Sequence, residues 1–100
     1  MRVIFTKIAE KTFDEVLGFL AGVWTQKEMD VFINDTENIV KQLIAGDYSM
    51  FQKSQFSTRS ELIGKKHVRM YFRKENENQI KVLLFFDMRQ NPEKIIEILK

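Results

Sequence analysis

The feature that most constrains the fold is a pair of alternating apolar and polar runs separated by a polar segment. The first run covers residues 67–73, the second covers residues 80–87, and the polar segment covers residues 74–78. Side chains of a β-strand point alternately to its two faces, so these runs predict an antiparallel hairpin. The second run is apolar at most positions, which indicates a central strand that is buried on both faces.

Pairing Phe72 with Ile80 predicts which side chains of this hairpin share a face. One face is then apolar throughout and is expected to pack on helices. Its members are Val68, Met70, Phe72, Ile80, Val82, Leu84 and Phe86. The other face mixes cations with apolar and aromatic side chains, namely His67, Arg69, Tyr71 and Arg73 with Leu83 and Phe85, and Arg89 joins it if the strand continues in register. Such a face suits a polyanionic partner.

Two amphipathic helices are predicted before the hairpin. The first begins at Thr6 as N-cap and carries apolar residues at the spacing i, i+3, i+4 and i+7 from Phe13. The second begins at a capping box formed by Thr25 and Glu28, and Gly46 is its expected end. The connection between the helices is short, which predicts an antiparallel helical hairpin.

The remaining segments complete the expected architecture. Residues 3–5 predict an opening strand, residues 60–63 predict a further short strand, and residues 47–58 predict a loop or irregular strand. Residues 91–92, Asn-Pro, predict the N-cap and first residue of a short C-terminal helix. We therefore expect a single α+β domain, residues 1–100, of order β-α-α-β-β-β. A helical hairpin packs on a small, mainly antiparallel four-stranded sheet, and a short helix ends the chain.

Composition excludes several classes of protein. The chain has no cysteine and one histidine, so a disulfide framework and thiol chemistry are excluded and no metal or other cofactor is expected. No apolar run approaches the length of about eighteen residues that a membrane span needs, and no secretory signal is evident, so a cytoplasmic location without a membrane partner is expected. The net charge is only +2, but the basic residues concentrate between positions 52 and 73.

The ordered set of motifs resembles the RelE/ParE superfamily of bacterial toxins, from the plasmid-stabilisation type of toxin–antitoxin system. The resemblance covers nearly the whole chain. It rests above all on residues 67–72, HVRMYF, and residues 80–92, IKVLLFFDMRQNP, with residues 3–6, VIFT, and residues 13–16, FDEV, in support. It implies a RelE/ParE-like fold and a cognate antitoxin protein that wraps and neutralises the toxin in an oligomeric complex.

The resemblance also implies the residues that act on a target. Arg69 and Arg89 fall at two family arginine positions, where both would hold phosphate oxygens with their planar guanidinium groups. An ion pair of Arg69 with Glu61 or Asp87, or of Arg89 with Asp87 or Glu93, would explain the same residues without catalysis.

His67 completes the predicted catalytic set because it is the one histidine available for proton transfer, although a surface or packing role would also explain it. Tyr71 could stack on a base or donate a proton, and it could equally be a cross-strand aromatic residue. The predicted RNA- and phosphate-binding residues are Arg59, Lys65, Lys66 and Tyr71.

The resemblance leaves the target open between two branches. RelE-like members cut mRNA in the ribosome, and ParE-like members inhibit DNA gyrase and are not nucleases. Residues 95–100 lack the tyrosine or histidine that nuclease-type members often carry near the C-terminus. RelE-like mRNA cleavage is the first expectation, with a ParE-like gyrase inhibitor or a non-toxic antitoxin-binding module as alternatives.

Overall fold

In a computed structural model, which describes residues 1–64, 67–91 and 93–100, the chain forms three helices and one five-stranded mixed sheet. The elements are β1 (Arg2–Phe5), α1 (Lys7–Leu20), α2 (Gln26–Ile44), β2 (Gln52–Lys53), β3 (Arg59–Ile63), β4 (Val68–Asn76), β5 (Gln79–Asp87) and α3 (Glu93–Leu99). The strand order is β1-β5-β4-β3-β2, with β1 parallel to β5 and the other pairs antiparallel. The predicted α+β class is confirmed. The predicted count of four strands is wrong, because the short β2 pairs with β3 as a fifth strand.

Both long helices begin where the sequence predicts. The side-chain oxygen of Thr6 accepts a hydrogen bond from the amide of Ala9 at 3.0 Å, and the full capping box at the start of α2 is present. The apolar faces of α1 and α2 close the larger core on one face of the sheet, where the rings of Phe13 and Phe32 stack with centroids 5.2 Å apart. None of the described helices combines the length and apolarity that a membrane crossing needs.

The register of the β4–β5 hairpin differs from the predicted one. Phe72 lies opposite Val82 rather than Ile80. The physical reason is the turn, because β4 continues to Asn76 and β5 begins at Gln79, which leaves two residues between the strands. The expected five-residue turn is therefore wrong, since residues 74–76 extend β4 and only residues 77–78 form the turn.

A β-bulge at Leu83 then reverses the facing of the rest of β5. Tyr71 lies opposite Leu84 while the next residue, Phe72, lies opposite Val82, so Leu83 is an extra residue in the ladder. One extra residue moves every later side chain to the other face of the sheet. For that reason the face predicted for three residues is wrong. Leu84 and Phe86, predicted to pack on the helical hairpin, lie on the other face of the sheet, and Phe85, predicted to lie on that other face, packs in the larger core.

Two threonine hydroxyls satisfy the backbone around the bulge. The hydroxyl of Thr6 donates to the carbonyl of Leu83 at 3.2 Å, and the amide of Phe85 donates to Thr12 Oγ1 at 3.0 Å. β1 ends at Phe5, before the bulge, and so does not supply these hydrogen bonds. A buried amide or carbonyl without a partner costs about 1–3 kcal/mol, so the two threonines stabilise the bulged conformation.

The bulge gives the sheet a second apolar face, and α3 packs on it. The buried residues of this smaller core are Tyr71, Leu83, Leu84, Phe86, Ile95 and Leu99. The helix is preceded by Asn91, whose side-chain oxygen accepts a hydrogen bond from the amide of Glu93 at 3.0 Å. Pro92, the predicted first residue of this helix, lies outside the described residues. A short helix therefore lies on the face that was expected to meet a polyanion.

The hydroxyl of Thr12 should matter more to stability than that of another helical threonine. We expect Thr12→Val to lower the free energy of unfolding by about 1–3 kcal/mol, because the amide of Phe85 loses its acceptor. Thr36→Val is the matched control, since the Thr36 hydroxyl is buried and donates only to the carbonyl of Phe32 at 2.9 Å. Urea unfolding measures both variants, and an equal loss in the two would contradict this account of the bulge.

Candidate functional site

A groove on the second face of the sheet separates α3 from the loop that joins β2 to β3. It has a volume of about 470 Å³, and Arg69 and Tyr71 of β4 line it together. These two residues share a face because they are two positions apart in a strand. The loop side is lined by Gln52, Lys53, Ser54 and Gln55, and the helix side by Glu93, Ile95, Ile96 and Leu99. One side of the groove is thus polar and the other largely apolar.

The guanidinium of Arg69 is oriented by neutral oxygen atoms. Its Nη1 donates to Ser60 Oγ at 2.9 Å and to Gln52 Oε1 at 3.4 Å. Ser60 is fully buried, and its hydroxyl also bonds to that of Ser54 at 2.7 Å. No carboxylate of the described residues lies within ion-pair distance of Arg69, so neither ion pair considered from the sequence is formed. No carboxylate of the described residues therefore neutralises the positive charge of this guanidinium beside the groove.

Tyr71 presents a phenol that stays protonated at neutral pH. The residue is 7% exposed. Burial raises the pKa of the phenol, because removal from water disfavours the charged phenolate, and the charge of Arg69 opposes this shift only in part. At neutral pH Tyr71 can therefore donate a proton or a hydrogen bond, and it is a poor base.

The loop between β2 and β3 holds a costly backbone conformation. Phe56 and Ser57 have φ angles of 58° and 60°, in the left-handed region that costs a residue with a Cβ about 1–2 kcal/mol. The amide of Ser54 donates to the carbonyl of Thr58 at 2.9 Å across the loop. From β4, Nη2 of Arg73 donates to the carbonyl of Phe56 at 3.0 Å. One side of the groove is thus held in place by hydrogen bonds from inside and outside the loop.

Arg89 lies in a different groove from Arg69. This second groove, of about 720 Å³, is lined by residues of α1, β5 and α3. The guanidinium of Arg89 makes a two-pronged ion pair with Asp87, with Nε–Oδ1 2.9 Å and Nη2–Oδ2 2.7 Å, and it lies 5.3 Å from the ring centroid of Phe19. The hydrogen-bonded pair lowers the pKa of Asp87 and raises that of Arg89. The structural alternative for Arg89, an ion pair after β5, is therefore formed, and a catalytic role for Arg89 stays a prediction.

His67 lies in the turn before β4 and is exposed. Its ring centroid is 6.1 Å from that of Trp24, and its carbonyl accepts a hydrogen bond from the amide of Met88 at 2.9 Å. The residues that line the two grooves do not include His67. The structure thus does not bring His67 into the groove of Arg69, and its proposed part in proton transfer stays a prediction.

Arg59 lies on the opposite face of β3 from Ser60. Its Nη1 donates to two backbone carbonyls of the segment before β2, at 2.9 and 3.0 Å, and its guanidinium lies 5.3 Å from the ring centroid of Tyr48. These contacts attach that segment to the sheet and explain Arg59 structurally. The two other predicted phosphate-binding residues, Lys65 and Lys66, lie outside the described residues.

The groove also contains polar residues that the sequence analysis did not single out. Ser60 and Gln52 orient Arg69, and Glu93 is the carboxylate among the described lining residues. Strand parity could have found Ser60, because it lies opposite Tyr71 in the β3–β4 register. Gln52 gave no signal, since a two-residue strand has no alternation to detect.

Comparison with known proteins adds no identification. The sequence matches none of the protein-family models with which it was compared, and no curated protein matches it significantly. Among the described residues, no group of three or more carboxylate and imidazole side chains is placed to hold a metal ion. The groove itself offers a guanidinium, a neutral phenol and hydroxyl groups, and this chemistry is the remaining guide to function.

The Asp87–Arg89 pair predicts an acid-sensitive part of the protein's stability. The pKa of Asp87 is below its ordinary value of 3.8 in the folded protein, so the unfolded chain takes up the proton first as the pH falls. The contribution, of about 1 kcal/mol for a partly exposed pair, is present above the ordinary pKa and is lost as the pH falls through the lower, folded value.

We therefore expect the stability difference between the wild type and Asp87→Asn to shrink below about pH 4. Urea unfolding at a series of pH values measures this difference. Asp14→Asn, at an exposed position of α1, is the control. The same pH dependence in both variants would exclude a specific role for the ion pair.

Proposed function

We propose that this protein is the toxin of a type II toxin–antitoxin pair, a growth inhibitor that a cognate antitoxin neutralises. The observation that carries the proposal is the groove in which Arg69, without a carboxylate partner among the described residues, lies beside the neutral phenol of Tyr71. Both residues belong to residues 67–72, one of the two segments on which the resemblance to the RelE/ParE superfamily mainly rests. The α+β class and the two helices that follow the first strand agree with that resemblance.

The partners of three other arginines, Arg59, Arg73 and Arg89, support Arg69 as the anion-binding residue. Arg59 lies on the other face and binds backbone carbonyls. Arg73 binds the carbonyls of Phe56 and Leu99, and Arg89 is neutralised by a carboxylate. Arg69 differs from them because it lines the groove and is held there only by neutral side-chain oxygens within the described part of the chain, through Nη1, so Nε and Nη2 can bind an anion in the groove.

RelE-like cleavage of mRNA in the ribosome is the activity that we propose for this groove. Arg69 binds the non-bridging phosphate oxygens through two parallel hydrogen bonds and stabilises the charge that develops on them. The 2′-oxygen of the RNA attacks phosphorus and the bond to the 5′-oxygen breaks, which leaves a 2′,3′-cyclic phosphate. Tyr71 gives its proton to the departing 5′-oxygen, and Glu93 at the edge of the groove accepts the proton of the 2′-hydroxyl.

Inhibition of DNA gyrase is the second candidate, and the state of Arg89 favours it. The resemblance implies two phosphate-binding arginines in a nuclease, whereas here Arg89 is paired with Asp87 and lines another groove. A ParE-like protein would bind gyrase without cutting nucleic acid, so it would not need the second arginine. Both candidates act in the cytoplasm, where the ribosome and gyrase are found, and both imply an oligomeric complex with the antitoxin.

Substitution of Arg69 tests the proposed nuclease directly. We expect Arg69→Ala to reduce in-ribosome mRNA cleavage by about 10²–10³-fold, because a donor to the developing phosphoryl charge is lost. Arg69→Lys should retain part of the activity, since an ammonium group keeps the charge and loses the two-pronged geometry. Induced expression in cells, with growth, labelled amino-acid incorporation and mapping of mRNA 5′ ends, measures these effects.

Arg2→Ala is the matched control, because Arg2 is an exposed arginine of β1. It should leave toxicity unchanged. DNA damage with intact translation, and loss of supercoiling by purified gyrase, would favour the ParE-like candidate instead. A folded protein that causes no growth arrest would leave only the non-toxic antitoxin-binding module.

A further inference from the structure

The guanidinium of Arg73 joins the two sides of the groove. Its Nη2 donates to the carbonyl of Phe56, in the β2–β3 loop, at 3.0 Å and to the carbonyl of Leu99, in the last turn of α3. Arg73 is on the same face of β4 as Arg69 and Tyr71, because these positions are two residues apart in the strand. The side chain of Arg73 thus connects the loop side of the groove to the helix side, over the strand that carries Arg69 and Tyr71.

Each side needs a contact of this kind. In the loop, Phe56 and Ser57 have left-handed φ angles that residues with a Cβ rarely adopt, so the conformation depends on external hydrogen bonds. On the other side, α3 has seven residues, and carbonyls in its last turn lack partners further along the helix. A charged donor between the two satisfies both requirements at once.

We propose that Arg73 is a positioning residue that fixes the width of the groove by tying the β2–β3 loop to α3. The groove is then open enough to expose Arg69 and closed enough to keep Tyr71 buried. Loss of the tie should let the loop relax and let α3 separate from it, which would admit water to Tyr71. This inference concerns the shape of the groove, and it rests on the proposed function only where toxicity is the readout.

Arg73→Lys tests the tie while keeping the positive charge. The lysine side chain is shorter, and its ammonium nitrogen ends before the position of Nη2, so it is not expected to reach both carbonyls in the same geometry. Hydrogen exchange then reports each side separately, through the amide of Ser54, which bonds within the loop at 2.9 Å, and the amide of Lys100, which bonds to Ile96 at 3.1 Å. We expect both amides to exchange faster, by roughly tenfold, since both belong to locally opening segments.

Acceleration of one amide alone would show that Arg73 anchors one side only, and it would overturn the proposal. Lys74→Ala is the matched control, because Lys74 is the next cation along β4, points to the other face and forms an ion pair with Glu77 at 3.8 Å. Both amides should be unchanged in this control. A similar acceleration there would show a general loosening of β4 instead of a tie.

The ionisation of Tyr71 gives a readout that separates opening of the groove from loss of a charge. Tyr48→Phe leaves Tyr71 as the one tyrosine, so absorbance can follow its phenol alone. The charged groups that line the groove with it are Arg69 on β4, Lys53 on β2 and Glu93 on α3. In the Tyr48→Phe background, Arg73→Ala should lower the phenol pKa towards its ordinary value of about 10, since water enters the groove.

Removal of a cation without opening would raise that pKa instead, so the direction of the shift decides between the two explanations. A raised or unchanged value in Arg73→Ala would overturn the proposal. Should the variants fail to fold, through-hydrogen-bond coupling in the wild type tests the tie without a substitution. Coupling from Arg73 Nη2 to the carbonyl carbons of both Phe56 and Leu99 is expected, and coupling to one alone would overturn it.

Toxicity distinguishes failure of this inference from failure of the proposed function. If the protein is a nuclease and Arg73 positions the groove, Arg73→Lys should reduce mRNA cleavage less than Arg69→Ala but clearly more than Lys74→Ala. If the protein is not toxic at all, the exchange and ionisation results still decide the role of Arg73. Full cleavage by Arg73→Lys, together with accelerated exchange of both amides, would overturn the positioning role.

Discussion

The bulge at Leu83 depends on hydroxyl groups at the start of α1 and in its second turn, and the second face of the sheet depends on the bulge. Beyond the end of β1, the Thr6 hydroxyl donates a hydrogen bond to a carbonyl of β5, and the Thr12 hydroxyl accepts one from an amide of β5. With those groups satisfied, β5 can shift by one residue and send Leu84 to the face opposite the helical hairpin. Without the shift, that face would carry fewer large apolar side chains, and α3 would have less surface on which to pack.

The two faces of the sheet bury different amounts of apolar surface, so one carries the main core and the other leaves room for a polar groove. The face under α1 and α2 holds the larger core, in which aromatic rings such as those of Phe32 and Phe72 are fully buried. The second face is covered by a helix of seven residues, and polar groups lie directly beside its core. Arg69 therefore lies at a boundary where it is held by Ser60 and still reaches solvent. A guanidinium can be both fixed and available only at such a boundary.

The parts of the fold that could be predicted are those specified by neighbouring residues. The capping box of Thr25 and Glu28 forms as the local sequence requires, and the central position of β5 follows from its apolar composition. The parity of β5 after Leu83 could not be predicted, because it depends on Thr12 from a distant helix. The pairing of Arg89 with Asp87 was one of two local alternatives, and hydrogen-bond geometry at the strand end selects it.

The charge around the groove depends on the partners of each guanidinium group. Among the described residues that line it, Arg69 and Lys53 are the cations and Glu93 is the one carboxylate, while Arg73 binds a carbonyl of the β2–β3 loop beside it. Hydroxyl and carbonyl partners orient a guanidinium but do not cancel its charge, whereas a carboxylate does, as Arg89 shows. The groove therefore keeps a positive potential that low-dielectric walls concentrate. This potential attracts anions without regard to their source, so under the proposed function the selectivity for one anionic target has to arise from the spacing between the two sides of the groove.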